Sequence, residues 1–133
     1  MYEHAIPVDA LVQEVGRPDG PLLTDVRIDP DFDDDPRILP AAIRMPHTEI
    51  ERRSRDFEGR RVVVYCQKGL KLSMGAAAIL RDCGIQAAFL TGGQFAWRDA
   101  GAPLLTAARL PTRTAGGGPA GSRRPAQRPT SLR

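Results

Sequence analysis

Cys66 stands where a β-branched run, Val62-Val63-Val64-Tyr65, gives way to Gln67-Lys68-Gly69-Leu70-Lys71-Leu72-Ser73 and then to the small residues Gly75-Ala76-Ala77-Ala78. This order predicts a strand, a short loop and a helix, with the thiol at the strand end. A thiolate is the nucleophile of cysteine chemistry, and nearby cations or a helix N-terminus favour it. Successive loop N–H groups can also curl around an anionic sulfur. Gly69 supplies a backbone angle that a tight loop needs. Ser73 can cap the following helix or hydrogen-bond the loop. The same residues also admit a purely structural account, since cysteine is among the most buried residue types. Lys68 and Lys71 weigh against that account. Charged side chains are seldom buried alone, so both belong near the loop surface, close to the sulfur.

The other chemically capable residues suggest less. His47 follows Pro46 by itself and reads as a surface or helix-start residue. Cys83 lies among apolar neighbours at a helix end and reads as inert. Trp97 reads as core. Asp33-Asp34-Asp35 could suggest a metal site, but three consecutive side chains point different ways and no partner ligands accompany them. A solvated loop is expected there, and no metal or cofactor.

The elements that must position Cys66 fit within 133 residues, long enough for one domain with a genuine core. Hydrophobic content is 41% and aromatics only 5%, so Val, Ile, Leu and Ala must build the core. No stretch approaches the ~20 apolar residues of a membrane span. Residues 1–10 carry acids and lack a basic-then-apolar pattern, so no export leader is expected. The two cysteines do not suggest a disulfide framework. A cytoplasmic, reducing location is expected, which suits a free thiol. The net charge of +3 conceals a split. Residues 1–105 hold 13 Lys/Arg and all 16 Asp/Glu, whereas residues 106–133 hold six Arg and no acid. The folded part is thus mildly acidic, against nucleic-acid binding by the fold. Residues 106–133 are Pro-, Gly-, Ala- and Arg-rich with few large apolar residues, and are expected to be a disordered basic tail. A basic arm for an acidic partner is the alternative, but it has no aromatics for stacking.

Periodicity predicts a helix over 7–15, a strand over 21–27, a loop over 29–40, an extended piece over 41–46 and a helix over 47–57, with Thr48 as a candidate cap. A strand over 61–65 follows, then a helix over 72–82, a strand over 86–90 and a helix over 94–100. The unbroken apolar run before Cys66 suits a strand buried on both faces. The alternation predicts an α/β domain over residues 1–105, with a central, mostly parallel sheet and helices on both faces.

Four stretches, in order, resemble the rhodanese family of single-domain sulfurtransferases. Asp25-Val26-Arg27 resembles its Asp-x-Arg motif, and residues 38–46 resemble its Pro-Gly-Ala segment. Residues 66–73 resemble its active-site loop, and Leu90-Thr91-Gly92-Gly93-Gln94-Phe95-Ala96-Trp97 resembles its Gly-Gly-x-x-x-Trp motif. The loop wording is also similar to small modules linked with chromate-resistance proteins. Departures are Ala41 where the family usually has Gly, Lys71 where many members carry Arg, and no His in the segment before Ile38.

The resemblance implies a rhodanese-like fold and a sulfane sulfur held on Cys66, with Gln67, Lys68, Gly69, Leu70 and Lys71 binding the donor. Asp25, Arg27 and Ser73 would brace the loop. Residues 66–71 form a six-residue loop, and relatives with one residue more handle phosphorus or arsenic oxyanions. The expected reaction takes sulfur from thiosulfate or a similar donor to a thiol or cyanide. The partners are then a small donor, a thiol acceptor and a sulfur-relay protein. No nucleic acid or membrane is expected, and nothing calls for an obligate dimer, so a monomer is expected. The alternatives are a non-enzymatic persulfide carrier or redox-sensing module, an arsenate- or chromate-handling module, and a pure interaction domain.

Overall fold

The computed structural model describes residues 4–106. The sheet holds five strands: β1 (Ala5–Ile6), β2 (Leu22–Asp25), β4 (Ile43–Arg44), β5 (Arg61–Tyr65) and β6 (Gln86–Leu90). Their spatial order is β1-β6-β5-β2-β4, and every neighbouring pair is parallel. Two further short strands, β3 (Arg37–Ile38) and β7 (Leu105–Thr106), pair antiparallel beside it.

The strand β5 lies in the middle, its register set by Leu22↔Val62 on one side and Val62↔Ala87 on the other. Successive side chains of a strand face opposite ways. Val62 and Val64 therefore enter one core with Phe57, Ala76, Ala77, Leu80 and Phe89. Val63 and Tyr65 enter the other with Leu11, Leu23, Leu39, Leu90 and Trp97. Helix α3 (Lys71–Asp82) covers the first face through its small buried Ala76 and Ala77. Helices α1 (Val8–Leu11) and α4 (Gly93–Asp99) contribute Leu11 and Trp97 to the second. Residue types that looked ordinary one at a time thus build an α/β sheet covered on both faces. Among the described residues no helix is long and apolar enough to cross a membrane.

Three local expectations need correction. Residues 29–40 are not all loop, because α2 (Asp29–Asp34) forms there. Pro30 at its first turn and Asp29 and Asp31 suit a helix N-terminus. The guanidinium groups of Arg27 and Arg44 lie 5.0 and 4.0 Å from the Phe32 ring and hold it from outside the segment. Residues 47–57 form two separate 3-10 turns, His47–Glu49 and Ser54–Phe57, and Thr48 makes no cap. Buried Ile50 and Phe57 anchor these turns without a continuous helical ladder. The α-helical part of 7–15 is only Val8–Leu11. The expected tail lies outside the described residues from 107 onward, while Thr106 pairs with Arg37.

Candidate active site

Parallel strands deliver their C-terminal ends to one edge of the sheet, where open α/β folds collect their functional loops. Here β5 ends at Tyr65 and the next residue is Cys66, 5% exposed. The loop then runs to Leu70, the residue preceding α3. Cys66 Sγ lies 3.1 Å from Ser73 Oγ, and the Ser73 hydroxyl is 3.4 Å from the Leu70 carbonyl oxygen. Ser73 makes no cap hydrogen bond to the α3 N-terminus. Once the thiol ionises, the serine O–H becomes the donor to sulfur.

Among the described residues, the N–H groups of Gln67, Lys68, Gly69 and Leu70 donate to no carbonyl. The first-turn N–H groups of α3 lack intrahelical partners in any helix. The loop that follows the buried sulfur therefore carries a run of N–H groups without carbonyl partners. Lys68 and Lys71 are exposed, and among the described residues neither forms an ion pair. Leu70 is 59% exposed between them. Gln67 is partly buried and Gly69 buried.

The back of this loop is fastened to α4. The Gln94 N–H donates to the Cys66 carbonyl at 2.9 Å, and the Phe95 N–H to the Gln67 carbonyl at 3.0 Å. This contact needs glycine on both sides. Gly69 has φ +71, and a Cβ there would sit 2.7 Å from the Gly93 nitrogen. Gly93 has φ +62, and a Cβ there would sit 2.6 Å from the Gly69 nitrogen. The Gly-Gly of the sequence is thus a backbone-to-backbone contact with the cysteine loop.

The profile of rhodanese-like domains matches residues 8–100. This chain belongs to the rhodanese-like domain family. Solved structures share its fold. A rhodanese-related protein from Thermoplasma volcanium superposes with TM-score 0.68 at 20% identity, over 78% of this chain and 99% of that one. A thiosulfate sulfurtransferase from Pseudomonas aeruginosa gives TM-score 0.68 at 22% identity, over 82% of this chain but 20% of that one. A Rhodopseudomonas palustris protein of unknown function, described as a possible tyrosine phosphatase, gives 0.63 at 24%, over 76% and 83%. At these identities the likeness is one of fold. No curated protein matches the sequence.

Within this rhodanese-like domain, Asp25 and Arg27 form a fully buried pair, with Arg27 donating to Asp25 Oδ2 at 2.7 Å. Arg27 also donates to the Asp35 and Arg37 carbonyl oxygens at 2.8 and 2.9 Å. Burial opposes its charge, but the hydrogen bond and charge of Asp25 outweigh this and raise the guanidinium pKa. Burial, with the Asp25 charge beside it, also pushes the Tyr65 phenol well above its ordinary value. The pair touches the 35–37 segment rather than the cysteine loop.

The link onward is Asp35. It takes hydrogen bonds from Arg37 at 2.7 and 2.8 Å and from Gln94 Nε2 at 2.9 Å. The Arg37 bonds outweigh burial and, with Gln94's, hold its carboxyl far below the usual carboxylate range. Gln94 is fully buried, and its Oε1 has no partner among the described residues.

Asp35 stood in the sequence only as part of an acidic run and Gln94 only within the Gly-Gly-x-x-x-Trp motif, and neither pattern marked its residue as part of the site. Fifty-nine positions separate them, and no local spacing signals the contact. Asp33 and Asp34 are exposed, as a solvated run should be, but Asp35 turns inward. His47 and Cys83 are exposed, away from the loop in the chain, and Trp97 is core, its Nε1–H bonding the Pro103 carbonyl at 2.7 Å. Among the described residues no cluster of His, Cys, Asp and Glu could hold a metal.

Proposed function

We propose that this rhodanese-like domain is a sulfurtransferase that carries a sulfane sulfur on Cys66. The observation that carries the reading is the placement of Cys66: a near-buried thiol at a strand end, 3.1 Å from Ser73 Oγ and followed in the chain by backbone N–H groups without carbonyl partners. Such donors suit a compact anion better than a neutral side chain. Lys68 on the loop and Lys71 at the start of α3, both exposed, suit the oxyanion end of a donor such as thiosulfate.

In the first half-reaction the Cys66 thiolate attacks the outer sulfur of thiosulfate. The sulfur–sulfur bond of the donor breaks and sulfite leaves with the electron pair. Cys66 then holds a persulfide, whose terminal anion the loop N–H groups and the Ser73 hydroxyl stabilise. In the second, an acceptor thiolate or cyanide attacks the terminal sulfur, and Cys66 leaves as thiolate. Two half-reactions on one sulfur give ping-pong kinetics. The six-residue span 66–71 supports sulfur over the larger tetrahedral oxyanions.

The test is intact-mass spectrometry after incubation with thiosulfate. Wild type should gain the mass of one sulfur atom and lose it to cyanide, while Cys66→Ala gains nothing. Absence of the adduct, with Cys66 still alkylated by iodoacetamide, would remove thiosulfate as donor and leave a carrier fed by a protein persulfide.

A further inference from the structure

The loop around Cys66 owes its backbone orientation to a contact it does not itself contain. A trans peptide points its carbonyl and the following N–H in opposite directions. The Cys66 and Gln67 carbonyls are held on the Gln94 and Phe95 N–H groups of α4. The N–H groups of Gln67 and Lys68 are thereby turned away from α4 and left without carbonyl partners. Whatever fixes Gln94 therefore fixes where these two donors aim.

Gln94 is fixed from a distant part of the chain. Its side-chain Nε2 donates to Asp35 Oδ2 at 2.9 Å. Asp35 is gripped by Arg37, and its own carbonyl by Arg27, which is locked on Asp25. A polar line, buried except at the partly exposed Asp35, thus runs from Asp25 through Arg27, Asp35 and Gln94 to the carbonyl of the cysteine itself.

We propose that Asp35 and Gln94 are positioning residues for the Cys66 chemistry, with their side-chain hydrogen bond holding the loop peptides so that the N–H groups face the anionic sulfur. Neither residue touches the substrate. The proposal rests on the reading of Cys66 as a sulfur carrier. It extends that reading to residues 29–37, whose partner role the family motifs in this chain do not mark. The acceptor oxygen of Asp35, more than its charge, is what Gln94 needs. Asn in its place keeps one such oxygen, and Ala keeps none.

The test uses the full chain in a Cys83→Ser background, so that Cys66 is the only thiol. Two readouts are taken: the pH dependence of iodoacetamide alkylation, which gives the thiol titration, and the rate of cyanide discharge of the loaded protein. Loading is with thiosulfate and, separately, with inorganic polysulfide. Gln94→Met and Asp35→Ala should move the titration to higher pH and slow discharge on the order of tenfold. Asp35→Asn should stay close to the unsubstituted protein in both. A role confined to stability would lower Tm without moving the titration. Folded Gln94→Met with an unshifted titration and undiminished discharge would overturn the proposal. So would Asp35→Asn behaving like Asp35→Ala. If Gln94→Met does not fold, Gln94→Asn, whose amide is one methylene too short to reach Asp35, gives the same comparison. Failure of the unsubstituted thiol to load from either donor would instead overturn the reading of a sulfurtransferase fed by small donors, while the alkylation titration still decides the positioning role.

Discussion

Cys66 Sγ and Ser73 Oγ stand 3.1 Å apart, a near-buried thiol against a fully buried hydroxyl, across the loop that separates β5 from the body of α3. The serine sits in the first turn of α3, yet its side chain turns to the cysteine instead of capping the helix. Ser73→Ala should leave the fold in place and cost about 1 kcal/mol of stability. It should slow sulfur transfer on the order of tenfold, through loss of one donor to the sulfur anion. Steady-state transfer rates and a thermal melt on the same preparation check both effects.

The contact between Gly69 and Gly93 admits no side chain. Gly69→Ala would combine a left-handed backbone with a clash against the α4 backbone, so the loop must shift. The expected cost exceeds the ~1–2 kcal/mol of the left-handed conformation alone. Gly59, with φ +77 and nothing near its Cβ position, isolates that conformational part. Chemical denaturation should rank Gly69→Ala well below Gly59→Ala, and only the former should lose Cys66 loading.

Ala41 occupies φ +66, the left-handed region that a residue with a Cβ adopts at a cost. It stands where the rhodanese family usually places glycine, at the turn where the Ala42 N–H bonds the Leu39 carbonyl at 3.0 Å. Ala41→Gly should therefore stabilise the domain by about 1 kcal/mol, read as a higher Tm, with sulfur transfer unaltered.

Asp35 gives the domain an acid limit. Its folded-state carboxyl titrates below its ordinary value because Arg37, and then Gln94, hydrogen-bond the ionised form. A group depressed in this way contributes stability above its unfolded pKa. That stability is lost as pH falls below the usual carboxylate range toward the folded value. Unfolding free energy should therefore drop through the acid range, and the drop should be smaller in Asp35→Asn. Urea titrations at a series of acid pH values measure the difference; identical slopes would show that other carboxylates set the acid limit.

What the sequence determined by itself is the part of the molecule written in local pattern. The run 62–65 is apolar at every position because β5 has neighbours on both sides and cores on both faces, and that is visible without a fold. The strand-loop-helix order around Cys66, the exposed lysines and the turn glycines are equally local, and they located the candidate thiol. Helix α2 was not legible, since residues 29–34 are polar and proline-containing and the ring that secures them is held by Arg27 and Arg44. Nor was the destination of Arg27, which pairs with Asp25 and also grips two carbonyls eight and ten residues on. The tertiary structure alone decided that Asp35 meets Gln94, and through it the cysteine loop. Hydrophobic period and turn chemistry act over a few residues and leave their mark on neighbouring letters. A single hydrogen bond between residues 59 positions apart leaves none, because it exists only once the sheet has brought both segments to the same edge.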